Sequence, residues 1–227
     1  MIQSLCCNNN KTGITGDVHM DNNAVELNYF HIGKALGGSQ DWMRDPWMRL
    51  GGCAALAAVD SCIYFKLFFG KKKLCPIDVH RLTKDSYIQF AMIMKPYISP
   101  RFSGVSKLEL YTEGMSSYLK NCGCMELLMH PFPMGQSLEL AQQVLLQQID
   151  KGILIPFLLL NHLSREWKEY HWHWFMLTGY RWDEDRLMVK AVTYGEGEWL
   201  PFATLWDSVR HDNGGMILYE FQETEMS

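Results

Sequence analysis

The run Gly51-Gly-Cys-Ala-Ala-Leu-Ala-Ala-Val-Asp-Ser-Cys-Ile-Tyr-Phe-Lys-Leu-Phe-Phe-Gly70 decides how this 227-residue chain folds. Over 53–69 apolar residues fall on nearly every side of a helix, so the segment belongs in a core and not on a surface. Gly70 supplies a left-handed stop. Asp60 interrupts the run, which is shorter than the roughly 20 residues of a bilayer span. A helix with no polar face needs layers around it, and the rest of the chain must provide them.

Working outward, residues 76–97 predict a mixed amphipathic helix ending before Pro96. Residues 106–121 predict a second, with Leu108, Leu110, Tyr111, Met115, Tyr118 and Leu119 inward. Ser137 is expected to cap a third, whose Leu138, Ala141, Val144, Leu145 and Ile149 recur at helical spacing before Gly152 closes it. The pattern then changes. Residues 153–160 form a short aliphatic run fit for a buried strand, 170–180 and 187–193 read as a hairpin, 203–208 as a helical turn and 216–221 as a closing strand. Upstream, 24–50 carries Gly37-Gly38-Ser39 and Asp45-Pro46 and reads as loop, and 1–24 as a flexible or wrapped extension. Helices first and antiparallel strands second predict an α+β fold, with 25–227 as a single domain.

The chemistry centres on Cys53. A thiol attacks only as thiolate, and a helix N-terminus and a nearby imidazole both favour that form. Alternation on the 170–180 strand puts His171, His173, Phe175 and Leu177 on one face, and either histidine would meet Cys53 if that strand packs across the start of the helix. Gly51 and Gly52 offer a backbone-rich wall to a substrate carbonyl, and the Cys53 amide is placed to help hold an oxyanion.

This arrangement resembles the papain-fold cysteine peptidases, most closely their bacteriocin-processing-peptidase-like branch. The resemblance is carried in order by Gly51-Gly-Cys-Ala-Ala-Leu56, by 111–123, by Leu145-Leu-Gln-Gln-Ile-Asp-Lys-Gly152 running into Ile153-Leu-Ile-Pro-Phe157, and by His173-Trp-Phe-Met-Leu-Thr-Gly-Tyr180. It implies a buried N-terminal helix carrying the Cys packed on a C-terminal antiparallel sheet. It implies Cys53 as nucleophile, His173 as general base and then general acid, and a peptide or amide small-molecule substrate processed through a thioester. Two positions depart from the family pattern. The oxyanion glutamine expected shortly before the nucleophile is replaced by Trp47 and Met48, which leaves Gln40 or Arg49 as substitutes. The orienting Asp or Asn falls near Thr193-Tyr194, where Thr193 would accept from His173 Nδ1 and Glu196 would reach back from the turn. Loss of both functions costs about 10²–10³ and about 10⁴ in turnover respectively. A catalytically silent papain-fold protein binding a peptide or small metabolite in the same cleft is therefore the alternative. His171 is a further candidate substrate contact.

Composition narrows the rest. A formal net charge of −4 gives no bulk attraction to nucleic acid or an anionic membrane. Seven cysteines, an odd number with two inside the apolar helix, point to a reducing compartment, hence a cytoplasmic location. His171 and His173 would need a partner such as His80 or His130 to hold a metal, and no cysteine or carboxylate spacing completes such a set, so no metal and no cofactor are expected.

Overall fold

In the computed structural model, which describes residues 18–21, 24–102, 104–160, 172–207 and 214–222, the chain opens with strands β1 (Val18–Asp21) and β2 (Ala24–Leu27) and the small pair β3 (His31–Ile32) and β4 (Ala35–Leu36). Four helices follow: α1 (Pro46–Gly51), α2 (Cys53–Phe68), α3 (Lys84–Met94) and α4 (Leu108–Cys122). The remainder runs β5 (Leu127–Pro133), α5 (Leu138–Asp150), β6 (Ile155–Leu159), β7 (His173–Asp183), β8 (Arg186–Thr193), β9 (Glu196–Pro201), α6 (Phe202–Asp207) and β10 (Gly215–Phe221). Its architecture is α+β: an antiparallel sheet in the order β1-β2-β7-β6-β10-β5, extended from β7 by β8 and β9, packed against helices.

Every residue of α2 from Cys53 to Phe65 is buried, as its all-round apolar sequence requires. Phe65 meets Tyr219 and Phe221 of β10 edge-on, and the Tyr219 hydroxyl donates to Ser61, so α2 covers one face of the sheet. Helix α4 joins that face: Tyr111 shares a 2.7 Å hydrogen bond with Tyr219 and stacks on Trp174. On the opposite face Phe157 packs with Phe175 and Trp206, under α5 and α6. Gly70 stops α2 at φ 65°, and Gly123 and Gly152 close α4 and α5 in the same left-handed region.

Three segments differ from the sequence expectation. The stretch 24–50 is not all loop. Asp45 accepts from the Met48 amide and Pro46 takes the first helical position, so the pair taken as a turn signal is an N-terminal cap of α1. The helix expected over 76–97 begins only at Lys84, because Thr83 and Ser86 form a reciprocal cap and Asp78 caps a separate tight turn before it. Strands β5 and β9 were not foreseen; Pro131 and Pro133 disguise β5, and its position at the end of the sheet order tolerates them.

Gly114 of α4 shows how closely the layers approach, since a Cβ there would lie 2.4 Å from the Tyr97 carbonyl oxygen. Gly114→Ala is expected to destabilise the fold by about 1–3 kcal/mol through overpacking, measured as a lower urea midpoint at unchanged m-value.

Candidate active site

Cys53 opens α2 directly after Gly52, which ends α1 with its N–H on the Met48 carbonyl. Both glycines are demanded by backbone. A Cβ on Gly52 would sit 2.4 Å from the Met48 oxygen, and one on Gly51 would sit 2.8 Å from the Arg101 oxygen. The space they free is thus filled by the chain's own carbonyls. Cys53 is 6% exposed and lines a cleft of about 30 Å³ with Gln40, Asp60, Tyr87, His173, Thr193 and Tyr194, over a floor that includes Leu56, Ala57 and Met176. Burial raises the Cys53 thiol pKa, and the N–H groups of Trp174, Ala54 and Cys53 itself offset only part of that.

His173 begins β7, is 5% exposed, and shares a 2.6 Å hydrogen bond between Nε2 and Thr193 Oγ1 at the end of β8. Thr193 therefore engages Nε2 and not Nδ1, leaving Nδ1 as the second ring nitrogen. The ring of Tyr194 lies parallel over the imidazole, 4.9 Å away at 5°. Tyr194 and Gly195 have φ of 50° and 83° and form the two-residue turn into β9. Burial lowers the His173 pKa to about 4, so the ring is neutral at physiological pH.

Alternation places His173 on the face of Phe175, which packs on Phe157, opposite Trp174, which stacks on Tyr111 of α4. Cys53 and His173 come to one cleft at the end of the sheet, where β8 stops at Thr193.

Gln40 lies thirteen positions before Cys53, yet α1 folds the intervening chain so that it lines the same cleft. Its Nε2 donates to the Arg49 carbonyl at 2.8 Å, which fixes the amide's orientation, and its Oε1 has no partner. Asp60 is the group that motif reasoning passed over. Its carboxylate accepts from Tyr87 at 2.7 Å, Tyr29 at 2.8 Å and the Gly38 amide at 3.4 Å. Gly37 and Gly38 permit this approach, for a Cβ on Gly38 would lie 1.9 Å from the Tyr87 ring. Burial pushes the Asp60 carboxyl up to about 6 despite the three hydrogen bonds. A signal was present in the sequence: Asp60 is the one acid in the apolar run and stands seven residues from Cys53, on the same helical face.

Glu196 faces Thr193 across the β8–β9 turn, is exposed and does not line the cleft. His171 lies outside the described residues. Among the described residues no group of three or more His, Cys, Asp or Glu side chains is placed to hold a metal ion, and no helix is long and apolar enough to cross a membrane. Two larger hollows, about 370 and 470 Å³, open beside Glu26 and Lys190 and between α5 and β10, and neither includes Cys53 or His173. No known protein family, curated protein or solved structure matches the chain.

The Asp60 carboxyl predicts a pH signature. Its pKa rises from 3.8 to about 6 on folding, so its stabilising contribution is full below about pH 4 and is lost as pH rises through 6. His173 works in the opposite sense: its pKa falls from 6.5 to about 4, so its contribution is full above 6.5 and is lost as pH falls. Comparing wild type with Asp60→Asn cancels the histidine. The difference in unfolding free energy is expected to move by about 2 kcal/mol between pH 4 and pH 8, in favour of the variant at the upper end. A difference independent of pH in chemical denaturation would contradict this.

Proposed function

We propose that the cleft at the start of α2 is the acyl-transfer site of a papain-like cysteine peptidase or amide hydrolase, or of an acyltransferase built on the same fold. The observation that carries this is the convergence of Cys53, at a helix N-terminus, with a Thr193-anchored His173 in one cleft. In this reading the Cys53 sulfur attacks the substrate carbonyl carbon and its proton passes to His173. His173 then returns that proton to the departing amine, leaving a thioester that water, or an acceptor amine, resolves. Gln40 supports the oxyanion: one Nε2 hydrogen is held by Arg49 and the other remains for a developing negative charge.

The pKa directions favour general-base activation over a resting ion pair. A raised thiol and a lowered imidazole leave both groups neutral, with His173 able to accept a proton above about pH 4. The same two shifts, with the narrow cleft, favour a second reading, in which the protein keeps the papain-like cleft for binding and performs no chemistry.

Acylation separates the two. On exposure to p-nitrophenyl acetate at pH 7.5, the hydrolase reading predicts release of p-nitrophenol and a 42 Da adduct (about one acetyl group) on the peptide containing Cys53, with the rate lowered about 10²–10⁴-fold in His173→Ala and the adduct lost in Cys53→Ala. An acetylation rate at Cys53 that His173→Ala leaves unchanged supports the silent cleft.

A further inference from the structure

We infer that the inner end of the Cys53 cleft is a subsite for a primary ammonium group, with the Asp60 carboxylate as its counter-charge and Gln40 Oε1 as a second acceptor, so that the acyl donors suited to Cys53 carry a free amine. This rests on the cysteine-hydrolase reading and adds a substrate class to it.

Position comes first. Cys53, Leu56, Ala57 and Asp60 form one stripe of α2 and all line the cleft, which puts the carboxylate roughly 10 Å along the helix from the nucleophile. An ammonium near Asp60 would thus lie several bonds from a carbonyl at the sulfur, as it does at the end of a short peptidyl or amino-acyl chain.

Charge comes second. The three donors on Asp60 are the neutral hydroxyls of Tyr29 and Tyr87 and the Gly38 amide. No lysine or arginine lines the cleft, and no ion pair reaches Asp60 among the described residues. A carboxylate taken out of water without a counter-charge destabilises a fold unless something else supplies it. Its Oδ1 holds a single hydrogen bond, from Tyr87, and has capacity for another.

Hydrogen-bonding demand is the third and independent point. Gln40, 7% exposed, must present its Oε1 as acceptor because the Arg49 carbonyl already claims Nε2, and that oxygen is unpartnered. The unmet needs of the cleft are therefore one positive charge and N–H donors. An ammonium group supplies both, with three donors on a compact cation. About 30 Å³ takes one or two water-sized groups, the size of an ammonium head.

Charged thiol reagents read the local field without a known substrate. The full-length protein is treated with 2-aminoethyl methanethiosulfonate, a cation, or with neutral methyl methanethiosulfonate; each forms a mixed disulfide with Cys53 and releases methanesulfinate. Rates at Cys53 are followed by peptide mass mapping and divided by those of N-acetylcysteine amide. A cation preference of about tenfold is expected at pH 7.5 for a full charge at this range. It should fall to near one in Asp60→Asn and, in the wild type, as pH is lowered to 5 and the carboxyl takes up its proton. The pH series decides the matter even if the variant does not fold. No preference in the wild type, or a preference that outlasts both loss of charge and acidification, overturns the ammonium subsite while leaving the nucleophile standing. If the neutral reagent fails to reach Cys53, the subsite and the hydrolase reading fall together.

Discussion

Burial of α2 around its whole circumference is the constraint from which the rest of the structure follows. A surface helix sends its polar groups to water; this one has no such side from Cys53 to Phe65. Its few polar atoms must be answered from neighbouring elements. Ser61 donates to the Ala57 carbonyl and accepts from Tyr219, and Tyr64 reaches the Gly152 carbonyl beyond α5. Asp60 draws in Tyr29, Tyr87 and the Gly38 amide. These bonds join α2 to the sheet, to α3 and to the loop that carries Gln40, so the placement of the cleft walls is a consequence of keeping the helix satisfied. Each such bond contributes only about 1 kcal/mol net, but leaving a buried partner unpaired costs more.

The parts of the fold legible in sequence were those with strong periodicity or an unambiguous stop. Helix α2, the cap at Ser137, the left-handed glycines 70 and 152 and the β7–β8 hairpin all announce themselves through local chemistry. The missed elements share a different property: their identity is decided by partners distant in sequence. β5 reads Leu-Leu-Met-His-Pro-Phe-Pro and becomes a strand because β10 pairs with it over seven residues. β2, Ala24-Val-Glu-Leu27, is only four residues long, and it is held by β1 and β7. At 83–86 a reciprocal cap, with Ser86 where Glu or Gln is usual, starts α3 inside a longer amphipathic pattern.

The site divides in the same way. Cys53 at a helix start and His173 at a strand start are visible as residue types in local context, and Thr193 is the position that the family resemblance points to for the orienting group. Gln40 was visible only as one of two substitutes for the family's glutamine, because thirteen residues separate it from the cysteine and only the fold of α1 makes them neighbours. The face on which His173 lies also escaped local reasoning. Alternation gives the set His173, Phe175, Leu177 but not which helical layer that set confronts; the contacts of Trp174 with Tyr111 and of Phe175 with Phe157 settle it.

One physical cause perturbs Cys53, His173 and Asp60 in the cleft. Burial raises the Cys53 thiol, lowers the His173 imidazole and raises the Asp60 carboxyl, in each case by penalising the charged form. The three shifts are therefore coupled to a single variable, the degree to which polar matter occupies the cleft. A ligand that brings a cation to Asp60 lowers that carboxyl's pKa and holds the acid ionised, and the polar groups it carries past Cys53 weaken the desolvation that keeps thiol and imidazole neutral. At physiological pH the Asp60 carboxylate already carries its charge in the empty cleft, so filling it changes the ionisation of the thiol and the imidazole more than that of the acid. In a cleft with so little free volume, that ties the ionisation of Cys53 and His173 to occupancy without requiring any group outside the cleft to move.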